Sequence, residues 1–345
     1  MSDEGVILAS PTGEEIGKML FTEYDFEVGD FENTFLVTCL QSEWKDIEEK
    51  SRIYIPGTEY GGRYEHLETN TANKTIGVGG FTWRGMLQNH YIEPPPGEDY
   101  AVDSGEINAI IAQRVSAACP GFFVGTGEST GITVNYQYNR YVSVYDGLKE
   151  MLKSVGYKME IKYDNELKAA KVGAVPIVDY SSRIEYSSDM NAHYYMTKEK
   201  CGVNHLICLG AGELRDRVVV HLYADAAGNI SQTQTFFGAD EICDIYDYAG
   251  ASREDLINGG IQQMKQRGNN NSFRIDLQSA KEVDIGDIVG GRDYVTGQKM
   301  TSPITTKVVK WENGSQTIEY KLSDDVNVEQ NAASLLGVTH REVDE

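Results

Sequence analysis

The amino-acid sequence predicts a mainly β fold of the α+β type, with a small α/β segment inserted between two β-rich parts. Three observations support this prediction. Glycine is frequent, at 35 residues where about 24 are usual for this length. Tyrosine outnumbers phenylalanine by 21 to 10, a ratio that suits half-buried strands better than dry helical cores. Many short segments alternate apolar and polar residues with a period of two, as strands do.

Charge and length exclude several classes of protein. The 345 residues carry 31 basic and 53 acidic side chains, a net charge of −22, and leave room for two or three domains. Such acidity argues against a protein that coats nucleic acid or binds an anionic membrane, because both need a basic surface. We expect no signal peptide and no membrane insertion, since residues 1–5 are acidic and no apolar run is long enough to span a bilayer.

The five cysteines point to a reducing compartment. Their number is odd and their spacing is irregular, so a disulfide framework is not expected. We therefore expect a protein that is made in the cytoplasm and stays soluble.

The N-terminal third is predicted to contain strands followed by two helices. Strands are expected at 31–40, 52–55 and 75–78. Apolar residues then recur at helical spacing over 82–92 and over 104–118, and prolines follow both segments.

The middle of the chain predicts a strand–helix–strand–strand module. Strands are expected at 131–138, 157–163 and 168–178, with a helix over 144–156 between the first two. Ser143 and Asp146 form a variant of the capping box at the start of this helix, and Gly156 is well placed to end it.

The remaining chain is predicted to be mostly strands. One helix is expected over 252–267, with Ser252 and Asp255 as its capping pair. Asn313-Gly314, between two alternating segments, is the strongest hairpin signal in the chain. The other strands are expected at 183–187, 205–209, 218–223, 230–237, 272–277, 288–295, 305–311 and 317–322.

Glycines at positions 125, 127 and 131 superficially resemble a nucleotide-binding loop. The dinucleotide fingerprint requires a helix after the loop, but a strand is predicted here and the last spacing is wrong. A glycine-rich turn is the favoured interpretation.

Cys201, His205 and Cys208 lie within eight residues and could be drawn as metal ligands. A structural zinc site needs four ligands, and His193 or His221 could complete the set only through tertiary structure. Cys208 also lies in an apolar strand, where a buried thiol is the simpler interpretation. We expect neither a metal site nor a Cys/His nucleophile pair here, since no third orienting group is evident.

A dense acidic cluster comprises Asp240, Glu241, Asp244 and Asp247. It lacks the alternating ligands and central glycine of a calcium loop, so a solvated face is favoured. The sequence therefore predicts no catalytic residue, no cofactor-binding residue and no metal ligand, and it implies no cofactor and no enzymatic activity.

The order of three sequence blocks carries a resemblance to a known family. The first block is Gly-Phe-Thr-Trp-Arg-Gly-Met-Leu at 80–87, the second is Asn-His-Leu-Ile-Cys-Leu-Gly-Ala-Gly-Glu at 204–213, and the third is Val-Asp-Ile-Gly-Asp-Ile-Val-Gly-Gly at 283–291. In this order the chain resembles the siphophage tail proteins of the ReqiPepy type, which are similar to phage baseplate hub and tail-associated proteins. The resemblance covers roughly residues 25–322.

The resemblance implies an architecture. Two β-barrel-like hub domains would lie at 1–120 and 181–323, a small inserted α/β domain at 121–180, and an acidic tail at 324–345. Such hubs look like homotrimeric rings at the tail tip of the virion, and they would contact distal tail or tail tube proteins and the tape measure protein.

Passage of DNA through the ring would be transient and without specific binding. An acidic lumen would keep the DNA mobile, because DNA carries about one negative charge per 1.7 Å of its axis. A rival arrangement places the acidic residues on the outer surface, where they only solubilise the protein.

A rival function is an enzyme that acts on host-surface glycans, with sugars stacked on aromatic residues such as Trp83 and Trp311. It requires a placed pair of carboxyl groups in a groove, and the sequence offers no anchored candidate. A further rival, an exported adhesion module, would need an export signal.

Overall fold

The computed structural model describes residues 5–30, 32–44, 46–181, 185–186, 193–197, 202–267, 272–276, 283–292 and 299–322. The chain divides into two compact units. The described residues of unit 1 lie within 5–193 and 275–322, and those of unit 2 lie within 194–274.

Strands are far more numerous than helices in the described residues, which confirms the prediction of a mainly β fold. The four helices are α1 (Trp83–Gln88), α2 (Ile107–Ala118), α3 (Val144–Ser154) and α4 (Arg253–Arg267). The strands are β1 (Ile7–Ala9), β2 (Glu15–Lys18), β3 (Glu23–Gly29), β4 (Thr34–Leu40), β5 (Arg52–Tyr54), β6 (Gly61–Arg63), β7 (His66–Asn70), β8 (Thr75–Phe81), β9 (Tyr91–Ile92), β10 (Val102–Glu106), β11 (Phe123–Gly125), β12 (Thr133–Gln137), β13 (Val142–Ser143), β14 (Tyr157–Asp164), β15 (Ala169–Pro176), β16 (Glu185–Tyr186), β17 (His193–Thr197), β18 (His205–Leu209), β19 (Val219–Ala224), β20 (Ile230–Ser231), β21 (Cys243–Asp247), β22 (Ser272–Asp276), β23 (Ile288–Arg292), β24 (Lys299–Glu312) and β25 (Ser315–Leu322).

The principal sheet of unit 1 joins the two ends of the chain. Its strand order is β25-β24-β3-β4-β8-β7, and β23 and β16 extend it beside the first part of β24. All the pairs in the order given are antiparallel. Apolar and polar residues alternate along these strands, so one face of the sheet is apolar. That face buries Phe26, Phe35, Val37, Val78 and Val309. The other face carries the polar side chains of the same strands.

A second core in unit 1 surrounds the three helices. Trp83 and Leu87 of α1, Ile111 of α2 and Leu148 of α3 are buried together with Val172 of β15. The parallel pair β11–β15 and the antiparallel pair β14–β15 form the sheet against which α2 and α3 pack, and α1 packs against α3. The predicted α/β segment thus shares a hydrophobic core with the two helices that precede it.

The predicted capping of α3 is confirmed. The Ser143 hydroxyl accepts a hydrogen bond from the Asp146 backbone N–H at 3.0 Å and donates one to the Asp146 carboxylate at 2.6 Å. These bonds satisfy backbone groups that a helix start leaves free.

Both N-terminal helices are shorter than the sequence pattern indicates. The first ends at Gln88 rather than residue 92, because Tyr91–Ile92 pairs with Val142–Ser143 as a strand. The second begins at Ile107 rather than residue 104, because Val102–Glu106 pairs with β12 and the Glu106 carboxylate accepts from the Ala109 N–H as the N-cap.

Unit 2 contains a four-stranded sheet in the order β20-β19-β18-β21, and α4 packs against β18 and β19. The pair β18–β21 is parallel and the others are antiparallel. Leu206, Cys208, Leu222, Leu256 and Ile261 form its buried core.

One predicted turn is confirmed, and one predicted strand is shorter than expected. Asn313 and Gly314 adopt φ of 52° and 78° between β24 and β25, as a type I′ hairpin requires. The predicted strand over 230–237, in contrast, is limited to Ile230–Ser231. The described strands form open sheets, with no closed barrel among them.

Candidate functional site

The metal site drawn from Cys201, His205 and Cys208 does not assemble among the described residues. Cys201 lies outside them. His205 and Cys208 are three positions apart on β18, so their side chains point to opposite faces of the sheet. Cys208 is buried against α4, whereas His205 faces the other side. No group of three or more potential ligands capable of holding a metal ion occurs in the described part of the chain.

His205 instead lies at the centre of a hydrogen-bonded chain that the sequence did not predict. Its Nδ1 is 2.5 Å from a Glu241 carboxylate oxygen, and its Nε2 is 2.8 Å from His221 Nδ1. The Tyr223 ring stacks on the His205 ring with centroids 4.3 Å apart. The β18–β19 register places Tyr223 opposite His205, so this contact depends on strand pairing rather than on a local motif.

The acidic cluster at 240–247 is largely neutralised by basic partners. Glu241 contacts His205, Asp244 lies 2.6 Å from an Arg267 guanidinium nitrogen, and Asp247 pairs with Arg217. These three carboxylates engage three different side chains, so the cluster does not converge on a common centre.

The glycine-rich segment at 125–131 is a turn, as expected. Gly127 and Gly131 have positive φ, and β12 follows the segment. The Glu106 carboxylate accepts hydrogen bonds from the Thr130 N–H at 2.8 Å and the Thr130 hydroxyl at 2.7 Å. Desolvation of the Glu106 carboxyl would raise its pKa. The hydrogen bonds from Thr130 and from the backbone N–H groups at the start of α2 outweigh this and lower the pKa. The loop amide therefore binds a carboxylate of the protein itself.

A buried network of charges lies in unit 1. The Arg84 guanidinium, 3% exposed, lies 2.8 Å from a Glu59 carboxylate oxygen. Lys307 Nζ lies 3.8 Å from the second Glu59 oxygen and 3.4 Å from Asp284. Burial lowers the pKa of Arg84, but Glu59, Tyr145 and Asp284 together raise it above its ordinary value. The network links α1, the β5–β6 loop, β24 and the turn before β23, so its role is structural.

The open face of the principal sheet contains a groove of about 610 Å³. Strand β8 contributes Gly80 and Phe81 to its lining, and β4 contributes Thr34, Phe35 and Leu36. Leu36 and the partly exposed Phe81 supply apolar surface. Five carboxylates line it, those of Asp25, Glu27, Glu32, Glu65 and Glu68.

The groove is bounded by a strand at the edge of the sheet. Among the described strands, β8 is the only neighbour of β7, and all five β7 residues are exposed. An edge strand presents unpaired backbone N–H and C=O groups that can pair with another chain. The groove and β7 together form the candidate interaction surface of the protein. No local sequence signal marks this surface, because its residues come from four strands and two adjoining loops between positions 25 and 81.

The fold is that of a phage tail protein, which agrees with the resemblance found in the sequence. The chain is similar in structure to the 43 kDa tail protein of prophage MuSo2 from Shewanella oneidensis, with a TM-score of 0.52 and 11% sequence identity. The match covers 93% of this chain and 98% of that protein. Because the identity is so low, the similarity establishes the fold alone.

Two further solved structures are similar over most of their length. The tail protein from Neisseria meningitidis MC58 gives a TM-score of 0.49 at 12% identity, with 92% of this chain and 96% of that one covered. Prophage tail protein gp18 from Listeria monocytogenes EGD-e gives 0.49 at 12% identity, with 96% and 97% covered. No family model matches the sequence. No curated protein matches it either.

Proposed function

We propose that this protein is a structural component of a long-tailed phage or prophage tail tip, where it acts as the baseplate hub that joins the tail tube to the tip. The observation that carries the proposal is the match to the MuSo2 tail protein, which extends over nearly the whole of both chains. A shared fold over nearly the whole of both chains supports a shared scaffolding role.

The proposed assembly is a homotrimer with two β-barrel-like domains, at 1–120 and 181–323, on either side of an inserted domain at 121–180, followed by an acidic tail at 324–345. Distal tail or tail tube proteins and the tape measure protein are the proposed partners in the virion. Limited proteolysis tests the division. Cleavage concentrated near residues 120 and 180 supports it, and cleavage confined to the boundaries of units 1 and 2 contradicts it.

Electron microscopy of the purified protein tests the ring. Threefold rings are expected. The hub would be excluded if the chain were monomeric both at micromolar concentration in solution and in the assembled particle. Gold labelling of virions with an antibody to this chain is expected at the tail tip, and label along the tube would contradict the location.

DNA passage is proposed to occur through the ring without specific binding. The net charge of −22 per chain supports this proposal, because an acidic wall repels DNA where a basic wall would retain it. Mapping carboxylates in the assembled ring tests it, and a basic lumen would exclude it.

The protein is proposed not to be an enzyme and not to insert into membranes. In the described part of the chain, no helix is long and apolar enough to cross a membrane. The rival glycan-directed enzyme loses support from the position of its suggested sugar platform. Trp83 is 1% exposed within the core, and Trp311 packs against Phe21 and Tyr24. Glycan cleavage by the purified chain, abolished by one carboxylate substitution, would restore that rival.

A further inference from the structure

Strand β21 lies at the edge of the sheet in unit 2. Among the described strands, β18 is its only neighbour. At the two ends of this pair, the Ile242 carbonyl and the Tyr248 N–H are bonded to the backbone of β18. The backbone groups of successive residues point to opposite edges of a strand, so the even-numbered residues of β21 face β18. The N–H and C=O groups of Cys243, Ile245 and Asp247 therefore face outward.

An edge with outward N–H and C=O groups can pair with another chain. Ile245 makes the edge of β21 more adhesive, because its side chain is 55% exposed. Two copies of β21 could pair antiparallel about Ile245, which would bring the two isoleucine side chains into contact. Such pairing would join two copies of the protein through unit 2.

Two charged side chains occupy the centre of this edge. The Asp244 carboxylate accepts from the Ile245 N–H at 2.8 Å. Arg267, the last residue of α4, places one guanidinium nitrogen 2.6 Å from the second Asp244 oxygen and 3.3 Å from the Ile245 carbonyl oxygen. The Arg267 carbonyl accepts from the Val203 N–H at 2.9 Å, which holds this end of the helix beside the sheet. Both outward backbone groups of Ile245 are therefore bonded within the chain.

We propose that the Asp244–Arg267 pair is a lock that closes the β21 edge against a second copy of the chain. A strand added at this edge would have to displace both side chains from the backbone groups of Ile245. Charged side chains on edge strands are a general means of preventing such association. The hydrogen bond from the Ile245 N–H lowers the pKa of Asp244 against desolvation, and Arg267 lowers it further. The carboxylate is therefore ionised at neutral pH, as the lock requires.

The test removes the lock without changing the net charge. The double variant Asp244→Ala with Arg267→Ala should form a species of twice the wild-type mass in sedimentation velocity, in a fraction that rises with concentration. The matched control is Asp25→Ala with Lys310→Ala, which removes an ion pair of similar exposure from the interior strands β3 and β24. The control should sediment like the wild type.

A third substitution locates the contact. Adding Ile245→Lys to the double variant should restore the wild-type mass, because a lysine at the centre of an open edge opposes strand pairing. Ile245 is exposed, so the lysine enters no core.

Residue-resolved hydrogen exchange of the wild-type protein examines the lock directly. The Ile245 and Cys243 amides point outward from the same edge, but the Ile245 N–H is bonded to Asp244. Relative to their intrinsic rates, the Ile245 amide should exchange about tenfold more slowly than the Cys243 amide.

Several outcomes overturn the proposal. Unchanged sedimentation of the double variant would show that the pair does not prevent association, and equal association of the Asp25/Lys310 control would show that any lost ion pair promotes it. Association that Ile245→Lys does not reverse would place the contact away from β21. Circular dichroism and thermal melting verify the folding of each variant. If the double variant does not fold, the wild-type exchange measurement decides alone, and equal protection of the two amides contradicts the lock.

Discussion

Lys158 Nζ lies 2.6 Å from an Asp287 carboxylate oxygen, and both side chains are largely buried. The other Asp287 oxygen accepts from the Val178 N–H at 2.9 Å. The oxygen that faces Lys158 also accepts from the Asp284 N–H at 3.0 Å. Asp287 therefore connects β14 and the segment after β15 to the turn that precedes β23. The sequence block at 283–291 thus has a structural role in this chain.

Asp287→Ala should destabilise unit 1 by about 3 kcal/mol, because removing one partner of a buried pair leaves the other charge uncompensated. Chemical denaturation monitored by fluorescence measures the change. The control is Lys162→Ala, which removes an exposed ion pair with Glu160 and should cost less than about 1 kcal/mol. Equal effects of the two variants would contradict a structural role for Asp287.

Asn33 should be sensitive for two separable reasons. It is fully buried with φ of 50°, and its side chain accepts from the Gly29 N–H at 2.7 Å and donates to the Gly29 carbonyl at 2.6 Å. Asn33→Ala should cost about 3 kcal/mol through lost hydrogen bonds and left-handed strain. Asn33→Gly relieves only the strain and should recover about 1 kcal/mol relative to alanine. Equal stabilities of the two variants would show that the left-handed backbone is not maintained.

The Arg84–Glu59 pair offers a test of charge burial. Glu59→Gln should destabilise the protein by about 3 kcal/mol, since Arg84 and Lys307 lose their shared counter-charge. The double variant Arg84→Met with Glu59→Leu should recover most of that loss, because an apolar pair pays no desolvation cost for charges. Thermal melting compares them. A double variant less stable than Glu59→Gln would indicate that the pair contributes more than compensation of buried charge.

The cysteines should differ in reactivity in the native protein. Cys243 is exposed, whereas Cys39, Cys119 and Cys208 are buried. Burial raises the pKa of Cys119 to about 11 despite Arg63, and it raises the pKa of Cys208 to about 11. Brief labelling with a maleimide at pH 7.5, followed by peptide mass spectrometry, should modify Cys243 before these three. The variant Cys243→Ser is the control, and rapid labelling of Cys119 would contradict the buried arrangement.

The same thiols predict a loss of stability in alkali. Their pKa values are higher in the folded state than the ordinary value of 9.0, so their contribution is complete below pH 9. It is lost as the pH rises through 11, because the unfolded chain releases these protons more readily. Denaturation midpoints between pH 8 and 11 measure the trend. The variant Cys119→Ala should have a shallower slope, and an unchanged slope would argue against ionisation of this thiol.

Local sequence signals predicted the elements that depend on neighbouring residues. Ser143 and Asp146 mark the start of a helix because the Ser143 hydroxyl accepts from the Asp146 N–H. Asn313-Gly314 forms the turn of a hairpin because both residues tolerate positive φ. The predicted start of α2 at residue 104 was wrong, because residues 104–106 pair with β12, a strand nearly 30 residues further along the chain. The helix begins at Ile107.

Local sequence signals could not predict the candidate interaction surface. The sequence marked Cys201, His205 and Cys208 by proximity, but the alternation of β18 directs His205 and Cys208 to opposite faces. The groove, in contrast, gathers Glu27, Leu36, Glu68 and Phe81 from four paired strands. None of these residues stands out in the sequence.

The sequence by itself determined the mainly β composition, the helix caps and the tight hairpin, because these depend on residue type and on short-range spacing. The phage tail fold was implied by the resemblance of three sequence blocks, in their order, to a known family. Only the tertiary structure decided which strands became neighbours. The pairing of β3 with β24 joins residues 24–29 to 306–311, and that of β18 with β21 is parallel across a long connection. Such contacts depend on which apolar faces can be buried together, so the exposed edge at β7 and its acidic groove arise from packing that no local pattern encodes.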